Sequence, residues 1–308
     1  MSPVCSPRSP RCRLFSDAAG TVPMAPRRVL VTGAGGRTGE IALSKMAGMP
    51  EQLEAFGAAR TEASASLVEK KTGAPCKMCS FTDPQNLDAA MEGVQTLVVL
   101  SSATPKPNWL KLLGFFCRKL CCRDKTATIG EAFEFPAMPE KVDWEGVRGL
   151  VDAAKRSVVK HVVLVGSMGG TKPDHFLNKM GGGNMLLWKR KAELYLRASG
   201  IPYTIIHPGG LLPHRGNKVV PGGQRKLVVG VDDELLERKS RCIPREDVAD
   251  VVVQCVLDPD TAAGRAFDLV ADEPEEGKGW DRDLKALLTG LGGQNCDYTR
   301  PEHSILQG

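Results

Sequence analysis

Residues 28–39 read Arg-Val-Leu-Val-Thr-Gly-Ala-Gly-Gly-Arg-Thr-Gly, an apolar run that breaks into glycines and then enters a helix-forming stretch. Val29, Leu30 and Val31 are too few for a helix and suit a strand buried on both faces. Gly33, Gly36 and Gly39 recur at intervals of three, and Glu40-Ile41-Ala42-Leu43 opens a helical pattern. A strand that turns sharply into a helix leaves backbone N–H groups facing outward at the positive end of the helix dipole. A diphosphate binds there. Gly33 permits the tight turn, Gly36 lets phosphate approach the backbone, and Gly39 lets the helix lie close to the strand.

The spacing separates dinucleotide binders from other phosphate binders. A G-x-G-x-x-G pattern starting at Gly33 fails, because Thr38 stands at its last glycine, whereas T-G-x-x-G-x-x-G fits from Thr32 to Gly39. No Gly-Lys-Ser/Thr closes the turn, which argues against a P-loop nucleotidase. The end of the second strand distinguishes the cofactors: an acid about 20 residues on favours NAD, an arginine NADP. Residues 53–59 run Leu-Glu-Ala-Phe-Gly-Ala-Ala into Arg60 with no acid at the terminus. Arg60, helped by Arg37, is placed to clamp a 2′-phosphate through charge-assisted bonds. NADP is therefore expected over NAD, although Glu62 lies nearby.

The net charge of +5 over 308 residues comes almost wholly from residues 1–28, which hold five arginines against Asp17. The rest is near neutral and offers no basic field for nucleic acid. Residues 1–26 are rich in Pro, Ser and Arg without an apolar core, which suits a transit-like segment or a disordered tail. No run approaches 18 apolar residues, so no spanning helix is expected. Ten cysteines without a secretion signal point to a reducing compartment, cytoplasm or plastid.

Strand-like runs recur at 28–32, 53–59, 75–81, 96–101, 161–166 and 203–207, with helical patterns at 83–93, 144–158 and 185–199. The alternation predicts an α/β fold, a Rossmann-type doubly wound parallel sheet over 27–290. Late elements at 226–229, 245–257 and 266–270 predict a small C-terminal subdomain over the ligand crevice. Residues 291–308 read as a loose tail.

Thr32–Gly39, Val142–Trp144, Val162–Gly170, Trp188–Glu193, Ile201–Ile206 and Pro208–Gly210 carry TGAGGRTG, VDW, VVLVGSMGG, WKRKAE, IPYTII and PGG. With VGVDDELL at 229–236 and REDVADV at 245–251, this order of blocks resembles the atypical short-chain dehydrogenases/reductases of the NmrA-like NAD(P)-binding group. The resemblance implies that Gly33, Gly36, Arg37, Thr38 and Gly39 hold the pyrophosphate and Arg60 the adenosine phosphate. It places Ser80 and Phe81 beside adenine and Ser101, Ser102 and Ala103 along the groove after the fourth strand. Ser167 and Lys189 approach the nicotinamide ribose, and Pro208, Gly209, Gly210 and Leu211 pass beneath the nicotinamide. Relatives usually carry aspartate at Ser80 and arginine at His207.

Active short-chain reductases use Ser, Tyr and Lys, the tyrosine four residues before the lysine so that both share a helical face. Ser167 and Lys189 fill the serine and lysine roles, with Lys191 a competing lysine. Met185, which cannot transfer a proton, stands where the tyrosine belongs, and Gly149 where many reductases carry asparagine. Tyr195 falls on the wrong helical face, Tyr203 in a buried strand pattern, and His175 in a loop. Two function classes follow. One is an NADP-dependent oxidoreductase on a small apolar carbonyl, enone or quinone, catalysed through Ser167 and Lys189. The other is a sensor or scaffold that reads NADPH and signals to a partner protein.

Residues 109–122, Trp-Leu-Lys-Leu-Leu-Gly-Phe-Phe-Cys-Arg-Lys-Leu-Cys-Cys, lie within an insert at 105–141 after the fourth strand. An apolar substrate lid, a peripheral membrane contact, a partner-docking face and a structural insertion all fit this pattern. Its cysteines lack histidine neighbours and zinc spacing, so no metal is expected. Cys76 and Cys79, three apart on a strand, are expected on opposite faces as unpaired thiols.

Overall fold

The computed structural model describes residues 25–79, 83–121, 123–124, 126–213, 219–274, 280 and 282–299. The amino-terminal half alternates β1 (Arg27–Thr32), α1 (Arg37–Ala47), β2 (Leu53–Ala59), α2 (Glu62–Thr72), β3 (Cys76–Met78), α3 (Pro84–Met91) and β4 (Thr96–Val99). The insert supplies β5 (Lys106–Pro107), α4 (Trp109–Leu120) and β6 (Phe133–Glu134). The chain then passes through α5 (Val147–Arg156), β7 (His161–Val165), a short α6 (Phe176–Lys179), α7 (Met185–Ala198), β8 (Tyr203–Pro208) and β9 (Gly210–Leu211). It closes with β10 (Leu227–Gly230), β11 (Cys242–Ile243), α8 (Arg245–Leu257), α9 (Pro259–Ala262), β12 (Arg265–Ala271) and α10 (Leu284–Thr289).

The main sheet runs β3-β2-β1-β4-β7-β8-β12-β11-β9, and β10 also pairs with β12. All contacts from β3 to β12 through β8 are parallel. Strand order reverses between β1 and β4, and in such sheets the ligand crevice opens there, beyond the carboxyl ends. Helices cover both faces, so the central strands are apolar throughout: Val29, Leu30, Val31, Leu97, Val98, Val162 and Val163 are all buried. The late strands gather at the β12 edge, where β10 and β11 pair antiparallel with it.

Capping chemistry sets most helix starts. Asp83 accepts a hydrogen bond from the Gln85 amide ahead of Pro84, and Thr61 accepts from the Ser64 amide. The helix expected at 144–158 begins earlier, with a wide-pitched turn over Glu140–Gly146 that runs directly into α5. β3 is shorter than expected, ending at Met78. Cys79 lies one residue past it, and Cys76 and Cys79 are both buried free thiols.

The carboxyl-terminal segment differs most from the sequence reading. Up to Thr299 it is not a loose tail: Leu291, Cys296 and Tyr298 are buried in the core. Ala266 donates its amide to Asn295 and accepts from the Cys296 amide, which stitches the segment along β12. No hydrophobic periodicity announced this, because single inward residues separated by turns carry no period.

In the insert, β5 and β6 form a two-stranded ribbon, and α4 packs on the turn at Ile129–Ala132. Arg118 bridges Asp124 and Glu131, and Lys111 pairs with Glu134. No side chain of α4 is buried, and Trp109, Leu110, Leu113, Phe116 and Leu120 are exposed. No helix of the described residues is long and apolar enough to cross a membrane.

Candidate active site

The turn after β1 has the predicted shape. Gly33 sits at φ +70°, and a Cβ there would lie 2.5 Å from the Leu100 carbonyl carbon and the Ser101 nitrogen. The turn is thus wedged against the exit of β4, where only a bare backbone fits. A Cβ on Gly39 would lie 2.2 Å from the Gly33 oxygen, which fixes how closely α1 crosses the strand. Gly36 caps α1 with no side-chain acceptor, and its own amide bonds the Gly33 oxygen at 2.8 Å. The amides of Arg37, Thr38 and Gly39 therefore start the helix without intrahelical acceptors. These groups and their positive dipole end fit a diphosphate.

Arg37 and Arg60 are both exposed and have no ion-pair partner among the described residues. Arg60 lies immediately beyond β2, and Thr61 and Glu62 begin α2 after it. Another arginine, which the sequence reading assigned only to a helix start, lies near Arg37. Arg245, at the first position of α8, donates to the Leu211 carbonyl at 3.3 Å and also to the Leu212 carbonyl. Burial, and then the charge of Arg37, push its guanidinium below the usual arginine range. Like charges gathered beside bared amides are held ready for an anion. Ser80 and Phe81, assigned to adenine, lie outside the described residues.

Beyond β4, Ser101 is half-buried, Ser102 exposed and Ala103 buried. The Ala103 amide donates to Asp143 Oδ2 at 3.1 Å, and the other oxygen of Asp143 pairs with Lys189 Nζ at 2.8 Å. Asp143 is 1% and Lys189 11% exposed, so this is a buried ion pair. The carboxylate ties α7 to the groove and aims the lysine. Sequence reasoning placed Asp143 in a shared block without giving it a role. Of the two competing lysines, Lys189 holds this position, while Lys191 lies over the rings of Trp144 and Trp188.

A small recess brings Ser101, Asp143, Gly166, Lys189 and Glu193 together. Ser167 follows Gly166, half-buried, with its hydroxyl donating to the Met168 carbonyl at 3.1 Å. Pro208 ends β8 and is buried. Gly209, half-buried, donates to the Leu269 carbonyl at 2.9 Å, and the exposed Gly210–Leu211 pair with β11. The serine loop and the proline–glycine loop leave neighbouring parallel strands, so they border one crevice.

Met185 fills the tyrosine position at the start of α7 and is buried. Tyr195 donates to Asp152 at 2.5 Å and packs edge-on against Trp144, away from the recess. Tyr203 is half-buried and accepts from Arg197 Nε at 3.1 Å. His175 caps α6 through Nδ1, and burial pushes its imidazole below the usual histidine range. Its Nδ1 is thus committed to a helix cap.

Behind the recess lies a polar core that sequence reasoning missed. Glu193, one turn after Lys189 on α7, accepts from His207 Nε2 at 3.1 Å and Tyr298 OH at 3.0 Å, and pairs with Arg190 at 3.0 Å. His207 Nδ1 meets Asp268 at 3.2 Å. Burial alone would raise the Glu193 carboxyl, but His207 and Arg190 reverse it and hold the group well below the carboxylate range. Burial opposes charging of His207 as well, yet Glu193 and Asp268 raise it well above the usual histidine range. His207, Asp268 and Cys296 bring one potential ligand atom each within 4.8 Å, and each of those atoms already takes part in this hydrogen-bonding network.

A reversing parallel sheet and a bared helix start at the reversal are the frame of an NAD(P)-binding protein of the short-chain dehydrogenase/reductase class. The model of the NAD(P)H-binding family matches residues 33–259. The chain belongs to that family. It is 42% identical over 297 residues to an uncharacterized chloroplastic protein of Arabidopsis thaliana, covering 93% of this chain and 83% of the relative. It is 40% identical over 273 residues to sanguinarine reductase of Eschscholzia californica, covering 85% and 94% of the two chains. Among solved structures, an oxidoreductase from Lactococcus lactis shares the fold at a TM-score of 0.57 and 18% identity, covering 87% of this chain and 98% of that one.

Proposed function

We propose that this chain is an NADPH-dependent reductase of a small, apolar quinone or conjugated carbonyl. The carrying observation is the buried Lys189–Asp143 pair, which shares a recess with Gly166, the residue before Ser167, although the tyrosine position holds Met185. Bound NADPH supplies a hydride there. The amides of Arg37, Thr38 and Gly39 bind the diphosphate, and Arg60 with Arg37 takes the 2′-phosphate that separates NADPH from NADH. Lys189, aimed by Asp143, orients the ribose, and the Ser167 hydroxyl polarises the acceptor oxygen. A conjugated acceptor delocalises the charge it gains, so the proton that completes the reduction would be taken from solvent water in a later step rather than from a phenol. The resemblance to a named reductase supports this reading. A plastid location is part of the proposal, supported by the chloroplastic relative.

The buried Met185 also favours a second reading, a sensor that binds NADPH without turning it over. Purified protein mixed with NADPH and a panel of quinones, enones and aldehydes separates the two, followed by loss of nicotinamide absorbance. Turnover of quinones or enones but not simple aldehydes supports the reductase. Tight NADPH binding with no turnover on any acceptor overturns it in favour of the sensor.

A further inference from the structure

Three walls surround the proposed nicotinamide pocket: α7 with Lys189, the Ser167 loop and the Pro208–Leu211 loop. One buried side chain connects all three. His207 is the residue immediately before Pro208 and is fully buried. Through Nε2 it reaches Glu193 on α7, one turn from Lys189. Through Nδ1 it reaches Asp268 on β12, whose second oxygen accepts the Asp233 amide at 2.7 Å.

Asp233 then fixes the serine loop. Its carboxylate accepts from the Gly169 amide at 2.6 Å, the Thr171 amide at 2.8 Å and the Thr171 hydroxyl at 2.7 Å. It does so from a left-handed backbone, φ +65°, a conformation costly for a residue with a Cβ unless its surroundings impose it. Arg190 supports the same loop from below: a Cβ on Gly170 would lie 2.6 Å from its Nε and Nη2. Glu193 closes the circuit. Its Oε2 takes the network, while Oε1 lies nearest to where a Cβ on Gly166 would stand, at 2.4 Å.

Tyr298 brings the carboxyl-terminal segment into this circuit. Its hydroxyl donates to Glu193, and its ring lies under the guanidinium groups of Arg190 at 4.7 Å and Arg197 at 4.2 Å. Fully buried, Tyr298 cannot be the missing proton donor. It can only hold Glu193 and the arginines in place.

We propose that His207 and Tyr298 are positioning residues, which lock the Ser167 loop, the Pro208–Leu211 loop and the Lys189 helix into one reactive arrangement. The inference rests on the reductase reading for its kinetic arm only. A doubly protonated imidazole donates to both carboxylates, whereas a neutral one donates to a single partner and turns a lone pair toward the other. The charged groups facing it are Glu193 and Arg190 from α7 and Asp268 from β12. Cys296, with Sγ 3.7 Å from Nδ1, and Tyr298 face it from the terminal segment. An arginine also donates on two sides and keeps the charge.

The test compares His207→Gln, His207→Arg and Tyr298→Phe with the unaltered full chain. Hydrogen exchange at the Gly169 and Thr171 amides, NADPH affinity and, with an accepted quinone, kcat and KM are read across pH. His207→Gln should speed exchange at those two amides by about tenfold and lower kcat by about as much, with KM for NADPH little changed. His207→Arg should restore both and flatten any loss of activity at high pH. Tyr298→Phe should show the exchange effect in a folded protein even if His207→Gln does not fold. Unchanged exchange in Tyr298→Phe, or a loss in His207→Gln that arginine fails to rescue, overturns the proposal. If the unaltered protein reduces no acceptor, the reductase reading falls, and the exchange measurements still decide the positioning role.

Discussion

In the proposed reading, Arg60 with Arg37 sets the choice of NADPH over NADH, and Arg60 is the side chain that tests it. It is exposed and free of ion pairs among the described residues, so its removal leaves the fold intact. A hydrogen bond to a charged group contributes about 1.5–3 kcal/mol, so Arg60→Ala should weaken NADPH by about tenfold or more. NADH should change far less. Calorimetry with both dinucleotides checks this, and equal losses would refute the phosphate clamp. Asp143 behaves differently, because its charge is buried. Asp143→Ala strands the Lys189 ammonium and the Ala103 amide together, and breaking a buried pair on one side costs about 3–5 kcal/mol. Urea unfolding should show a loss of that order, and a shift below about 1 kcal/mol would mean that water already reaches the pair. The glycines and Lys189 were legible in the sequence because turn geometry and helical spacing are local rules. Asp143 was not, since its partners lie 40 and 46 positions away on other elements.

At the scale of elements, the strands and helices of the parallel sheet were readable because fully buried strands and amphipathic helices leave strong patterns. The helix start at Glu140 was missed, as a wide turn has no period of its own. Helix α4 poses the opposite case: its pattern is plainly amphipathic, yet Trp109, Leu110, Leu113, Phe116 and Leu120 of its apolar face stay exposed. Within the isolated protein that face should contribute little to stability. Replacing Trp109, Leu113, Phe116 and Leu120 singly by glutamine should shift unfolding free energy by no more than about 0.5 kcal/mol each. Losses of 2 kcal/mol or more, of the size core truncations give, would show that the helix is covered in solution.

Across the whole molecule, stability is tied to pH through the polar core. The folded His207 titrates above its unfolded value, so its contribution is complete below about pH 6.5 and drains away as pH rises toward the folded pKa. Glu193 is depressed from 4.5 to about 2, so its contribution is complete above about pH 4.5 and is lost as pH falls toward 2. The two together predict greatest stability between those limits. The gap in unfolding free energy between the unaltered protein and His207→Gln should narrow steadily above about pH 6.5. A gap constant from pH 6 to 9 would mean that the imidazole carries no charge in the fold. This core was illegible beforehand for a plain reason: Glu193, His207, Asp268 and Tyr298 are spread over 105 positions, and only the folded sheet brings them together.

That spread also dictates when the pocket is finished. During synthesis the glycine turn and its parallel neighbours emerge well before Tyr298 does. In the proposed reading, the diphosphate end of the site is therefore made before the wall behind the nicotinamide. The same order makes residues 291–299 a poor place to cut, and an informative place to attach a probe of assembly.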